Sequence, residues 1–60
     1  MPRHDDAELH QAGYRDGLHD QAPANSEYAY KLGWIEGYMT RVGVSASDAV
    51  QAFNNGRQLR

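Results

Sequence analysis

Two segments of the chain repeat one another twenty positions apart: Ala12-Gly13-Tyr14-Arg15-Asp16-Gly17-Leu18 and Leu32-Gly33-Trp34-Ile35-Glu36-Gly37-Tyr38. Each sets two glycines four apart, an aromatic directly after the first and a carboxylate directly before the second. On a helix, positions i and i+4 share a face, so each segment carries a bare strip that another backbone can approach closely. A glycine inside a helix costs about 0.5 to 1 kcal/mol relative to alanine, so four at matched positions imply a compensating contact. Gly13, Gly17, Gly33 and Gly37 are therefore the expected packing positions of an all-α protein.

The rest of the chain fits around these two helices. Asp5 or Asp6 can cap the first, which is expected over about residues 5–20 with Ala7, Leu9, Ala12, Tyr14 and Leu18 as sparse apolar positions. Pro23 in Gln21-Ala22-Pro23-Ala24-Asn25-Ser26 breaks the chain, and Asn25 or Ser26 can start the next helix over about 27–42. A short connection of this kind predicts an antiparallel helical hairpin. In the second helix Tyr28, Leu32, Ile35, Met39 and Val42 fall at steps of four and three, a stripe expected to face a core. Tyr30, Trp34 and Tyr38 form an aromatic row, and Ala29, Gly33 and Gly37 a small-residue row. A helix apolar around most of its circumference is covered on more than one side, which places it at the centre of the fold and predicts a homo-oligomer. Gly43 is its expected stop. A third helix is expected over about 46–55, capped by Ser45 and ended by Gly56, with 57–60 as a tail, so that residues 1–60 form a single helical domain.

Sixty residues bury only about 60% of the surface their unfolded chain exposes, so the chain's own core is marginal and a partner is expected to complete it. The absence of cysteine excludes disulfides. No apolar run is long enough for a membrane span and the start does not read as a signal peptide, so a cytoplasmic location with no membrane partner is expected. Six Lys and Arg against eight Asp and Glu argue against nonspecific nucleic-acid binding.

The chemistry-bearing side chains do not form a recognisable catalytic or metal set. His4, His10 and His19 include no pair four apart, so surface positions are expected and no metal or cofactor is assigned. Asp16 and Glu36 occupy equivalent repeat positions and could pair as carboxylates, but exposed positions beside packing glycines account for them as well. The glycine motifs lack a Walker pattern and a preceding strand, so they are not phosphate loops. No catalytic residue is assigned and a non-enzymatic protein is expected. Leu32, Ile35 and Met39 join the four glycines as expected interface residues. Tyr14, Tyr30, Trp34, Tyr38 and Arg41 are the expected partner or ligand contacts, because Trp, Tyr and Arg dominate binding surfaces and can also stack on a base.

Gly13-Tyr14-x-x-Gly17-Leu18, Pro23, Tyr28 and Gly33-Trp34-x-Glu36-Gly37 resemble the ribosome modulation factor family of small bacterial proteins over residues 9 to 41. The resemblance implies two helices joined through a proline-containing connection, and a regulator that binds ribosomes and promotes their inactive pairing. The best-known members begin with a Lys/Arg-rich stretch, whereas this chain begins Met1-Pro2-Arg3-His4-Asp5-Asp6 and carries a net charge of -2. The family's Cys-Pro-Tyr is missing too, and Val44 to Arg60 has no counterpart in the family core. The expected function is a small regulatory protein that binds a larger host assembly, with the ribosome or a host protein as partner. The alternative is a phage or mobile-element inhibitor of a host enzyme or defence system, including an oligomeric sponge for a nucleotide signal.

Overall fold

A computed structural model describes residues 5–58. The described residues form three helices and no strand: α1 (Asp6–Leu18), α2 (Tyr28–Val42) and α3 (Ala46–Gln58). The all-α expectation holds. α1 and α3 both pack on α2 and their backbones do not approach one another, so α2 is the central helix.

Each helix end has a local cause. Asp5 is the extended residue before α1, its side chain making no capping bond, while Asp6 and Glu8 put negative charge at the positive end of the helix dipole. α1 closes two residues earlier than expected. His19 N–H donates to Arg15 O, Asp20 N–H to Gly17 O at 3.4 Å and Gln21 N–H to Asp16 O at 2.8 Å, with Asp20 left-handed at φ 60°. That is a Schellman closure with aspartate where glycine is usual. Asn25 Oδ1 accepts from Glu27 N–H just before α2, and Ser45 Oγ from Asp48 N–H at the start of α3. Gly43 ends α2 as expected, at φ 81°.

The two repeat helices run in the same direction, which corrects the expected antiparallel hairpin. A Cβ placed on Gly13 would overlap the Tyr30 carbonyl oxygen, and one on Gly17 the Trp34 carbonyl. One on Gly33 would overlap the His10 carbonyl, and one on Gly37 the Tyr14 carbonyl. Contacts therefore advance along both helices together. The nine residues between Leu18 and Tyr28 have no helical structure. At roughly 3.3 Å per extended residue they span about 30 Å, enough to return along α1 at roughly 1.5 Å per residue. A tight loop would have forced the antiparallel arrangement; this connection is a strap.

The four contacts obey one rule. Adding 20 to His10 and Tyr14 gives Tyr30 and Trp34, so the Gly13 contact becomes the Gly33 contact with the helices exchanged, and the same operation relates Gly17 to Gly37. The sequence repeat is thus the chemical form of a quasi-twofold axis between two parallel helices, each lending a glycine strip to the other's backbone.

The core is Tyr30, Trp34 and Ile35 of α2 with Ala49 and Phe53 of α3, and Leu9, Ala12, Tyr38, Met39, Val50 and Ala52 pack around it. This corrects the expected core stripe. Ile35 is buried and Met39 half-buried, but Tyr28 is 73% exposed, Leu32 41% and Val42 42%. The glycine row draws α1 onto the side of α2 next to these residues and not over them, and thirteen residues of α3 do not cover what is left. Gly56 also differs from expectation. It lies inside α3 rather than ending it, and a Cβ there would stand 2.7 Å from Pro23 Cδ, so α3 continues against the strap. Of the expected tail, Leu59 and Arg60 lie outside the described residues, as does His4.

Candidate functional site

α2 presents two apolar sides with opposite fates. On one, the aromatic row and Arg41 bind the strap and α3. Tyr30 O–H donates to Asp16 Oδ2 at 2.5 Å and accepts from Ala24 N–H at 2.9 Å. The Trp34 indole N–H donates to the Gln21 carbonyl at 2.8 Å. Burial, and then the hydrogen bond to Asp16, push the Tyr30 phenol from its ordinary 10.0 up to about 12. Both rings are buried and their polar atoms are satisfied within the chain.

The ring faces are occupied as well. Tyr38 stacks on Trp34 with centroids 5.1 Å apart and planes 12° from parallel, and Phe53 meets Trp34 edge-on at 5.7 Å. The Arg41 guanidinium lies 5.4 Å from the Tyr38 centroid. Its Nε–H donates to the Gly17 carbonyl at 3.3 Å and its Nη2 meets Asp20 Oδ1 at 3.0 Å. Parallel helices set their negative C-terminal ends side by side, and Arg41 places a cation there, bonded to a carbonyl of α1 from the last turn of α2. Lys31 is likewise directed inward, 5.7 Å from the Phe53 centroid.

Asp16 and Glu36 are not brought together. Asp16 holds Tyr30, and Glu36 lies 3.6 Å from His10 Nε2. The pairs are images of one another under the twenty-residue shift, one part-buried and one exposed. Tyr14 is half-buried on α1, its backbone nitrogen and oxygen facing Gly33 and Gly37. Sequence reasoning missed the strap as a structural element, whereas the apolar side expected of the third helix, Ala49, Val50, Ala52 and Phe53, is the side that meets the core. Three hydrogen-bonding side chains at steps of four and seven on one side of the helix, Tyr30, Trp34 and Arg41, were the signal that something polar had to run alongside.

The other side of α2 is the ridge of Tyr28, Leu32 and Val42. Its N-terminal half opens into a cleft of about 440 Å³ between the starts of α1 and α2, lined by Asp6, Ala7, His10, Glu27, Tyr28 and Leu32 among others. Among the described residues no group of three or more His, Cys, Asp or Glu gathers as a metal ion would require, and no helix is long and apolar enough to cross a membrane.

The fold defines a small all-α domain built on a parallel glycine-contact helix pair. Comparison of the chain with protein-family models, curated proteins and solved structures finds no match.

Proposed function

We propose that the chain is a non-enzymatic regulatory binding protein that docks on a larger assembly through the exposed ridge of α2. The observation that supports this most is the split character of that helix. Its hydrogen-bonding aromatics and Arg41 are committed to the chain's own strap, while Tyr28, at 73% exposed, leads a line of large apolar side chains left open. A helix face carrying anchors four apart is a common form of partner recognition. The resemblance to the ribosome modulation factor family supplies the ribosome as the first assembly to test, within the cytoplasm.

Self-association over the same ridge is the rival, because the ridge would then be covered by a second copy. The nucleotide-sponge alternative has less support: it needs an open ring to stack on, and Trp34 is 4% exposed with Tyr38 on one face. A phage-type inhibitor of a host protein would use the same ridge and differ only in its target.

Cosedimentation of the purified protein with purified ribosomal particles tests the reading. Association is expected for the wild-type chain and loss of it for the double substitution Tyr28→Ser, Leu32→Ser, whose side chains are exposed and whose fold is checked by circular dichroism. No association of the wild type removes the ribosome as the assembly. Undiminished association of a folded double variant removes the ridge.

A further inference from the structure

We infer that the cleft at the N-terminal end of the α1–α2 pair receives a cationic segment of a partner protein, one that inserts an apolar side chain between Ala7 and Leu32 and sets Lys or Arg against Asp6 and Glu27. The inference rests on the docking reading above and names the chemistry of what docks.

The first support is the shape and lining. The cleft is lined by Ala7, Ala29, Leu32 and the exposed Tyr28 ring, with Asp6, His10 and Glu27 as its polar members, and has a volume of about 440 Å³. That is room for one or two side chains and too little for a folded element, so the occupant is an anchor residue on a helix or extended segment passing over it.

The second support is charge. Parallel helices bring their starts to one end of the molecule, and here that gathers Asp5, Asp6 and Glu27, with Glu36 at the edge beside His10. The cations whose side chains are described are elsewhere: Lys31 faces Phe53, Arg41 is bonded at the far end, and Arg15 lies in the last turn of α1. A cleft that combines apolar lining with the carboxylates of Asp6 and Glu27 selects a partner that is apolar at its tip and positive around it. Phosphate backbones and anionic membrane surfaces carry the wrong sign.

The same charges disfavour a second copy. Two chains related by an axis parallel to α2 would set Glu27 opposite Glu27. An antiparallel pair centred on Ile35 would bring Glu36 toward its own mate. Either arrangement opposes like charges beside the apolar contact, which a basic partner does not. An acidic chain can in this way reach a ribosomal particle or any other assembly through a basic protein surface.

The test is a titration of the isotopically labelled full chain, followed by amide shifts, with a synthetic amphipathic peptide carrying Leu at helical spacing among Lys and Arg. Two control peptides replace the cations by Gln or by Glu. The expected result is movement of the Ala7, His10, Tyr28 and Leu32 amides and an affinity about tenfold weaker for the Gln peptide. The Glu peptide should not bind, and the folded variant Asp6→Asn, Glu27→Gln should lose a similar factor for the cationic peptide. Equal binding of the Gln peptide, shifts confined to other surfaces, or no binding at about 1 mM peptide would overturn the inference. Particle association that survives Asp6→Asn, Glu27→Gln unchanged also overturns it while leaving the docking reading intact. Peptide binding at the cleft without particle association upholds it and removes only the ribosome.

Discussion

The two halves of the repeat make the same backbone contacts and differ in what they carry outward. Where α1 has His10, Tyr14 and Leu18, α2 has Tyr30, Trp34 and Tyr38 at the equivalent positions. The glycine strips give both helices one job, holding a partner backbone close, and neither helix does it better. The side chains beside the strips break the symmetry. On α2 they are large, aromatic and able to hydrogen-bond, so the strap and α3 gather there; on α1 they gather nothing comparable, and α1 remains an outer layer. Close approach is thus a property of the pair, and the direction in which the rest of the chain folds is a property of one helix.

The largest predicted effect tests the shared part. An added Cβ on any of Gly13, Gly17, Gly33 or Gly37 meets a carbonyl of the neighbouring helix, and backbone cannot rotate aside as a side chain can. Gly13→Ala and Gly33→Ala should each cost about 3 kcal/mol, the upper end of ordinary overpacking. A chain of this size draws only about 3–5 kcal/mol from its core, so both variants should be largely unfolded by circular dichroism near room temperature. If one is tolerated and its image is not, the quasi-twofold relation does not describe the folded protein.

The next effect tests the unshared part. Trp34→Leu removes the indole bond to Gln21, the stack on Tyr38 and the edge contact with Phe53, and should lower stability by about 2 kcal/mol. The image substitution Tyr14→Leu, at a half-buried position, should cost less than about 1 kcal/mol. Urea midpoints measure both. Equal losses would mean that α1 carries as much of the fold as α2.

The repeat made the glycine contacts legible, because spacing alone says which strip is bare, and the crowded α2 wheel made that helix the centre. The sense of the pairing was not legible from the strips, since two glycines four apart suit parallel and antiparallel neighbours alike. It depended on whether residues 19–27 form a loop or a strap. That was decided by hydrogen bonds that reach 6 and 14 residues back in sequence from Tyr30, 13 from Trp34, and 21 and 24 from Arg41. Periodicity also named Tyr28, Leu32, Ile35, Met39 and Val42 as the core stripe, when the rows beside it contained the glycines that admit α1. A regular apolar stripe and a small-residue row compete for the same neighbour, and the row that permits closer contact won. Gly56 read as a stop because glycine often is one; its use as a seat for Pro23 has no local signature.

The two carboxylate pairs offer a finer comparison. Tyr30→Phe should cost about 1 kcal/mol by stripping Asp16 of its donor, whereas Glu36→Gln, which weakens the exposed image pair with His10, should change stability by less than about 0.5 kcal/mol. The Tyr30 phenol is raised in the folded chain from 10.0 to about 12, so its neutral form is favoured by folding. The stability linked to it is fully present below pH 10 and is lost as pH climbs toward 12. Alkaline titration of the unfolding midpoint should show a fall over that window that Tyr30→Phe removes. An unchanged fall in the variant would assign the alkaline transition to another group.

The two helix ends differ as well, and one of them gives the smallest net change. α2 closes on Gly43 at φ 81°, and α1 on Asp20 at φ 60°, so one end uses the residue that enters the left-handed region freely and the other does not. Gly43 has open space around the position of a Cβ, and Gly43→Ala should therefore lose about 1 kcal/mol from backbone strain alone. Asp20→Gly relieves a similar strain but gives up the pair with Arg41, in which the aspartate side chain is 77% exposed and the bond is worth under about 1 kcal/mol. The two terms nearly cancel, and the melting temperature should move by no more than a few degrees. Salt separates them: screening weakens the ion pair and leaves the strain, so Asp20→Gly should gain on the wild type as ionic strength rises. A variant that loses several kcal/mol at every salt concentration would show that Asp20 is held by more than Arg41, and that the end of α1 is built as firmly as the hub it leans on.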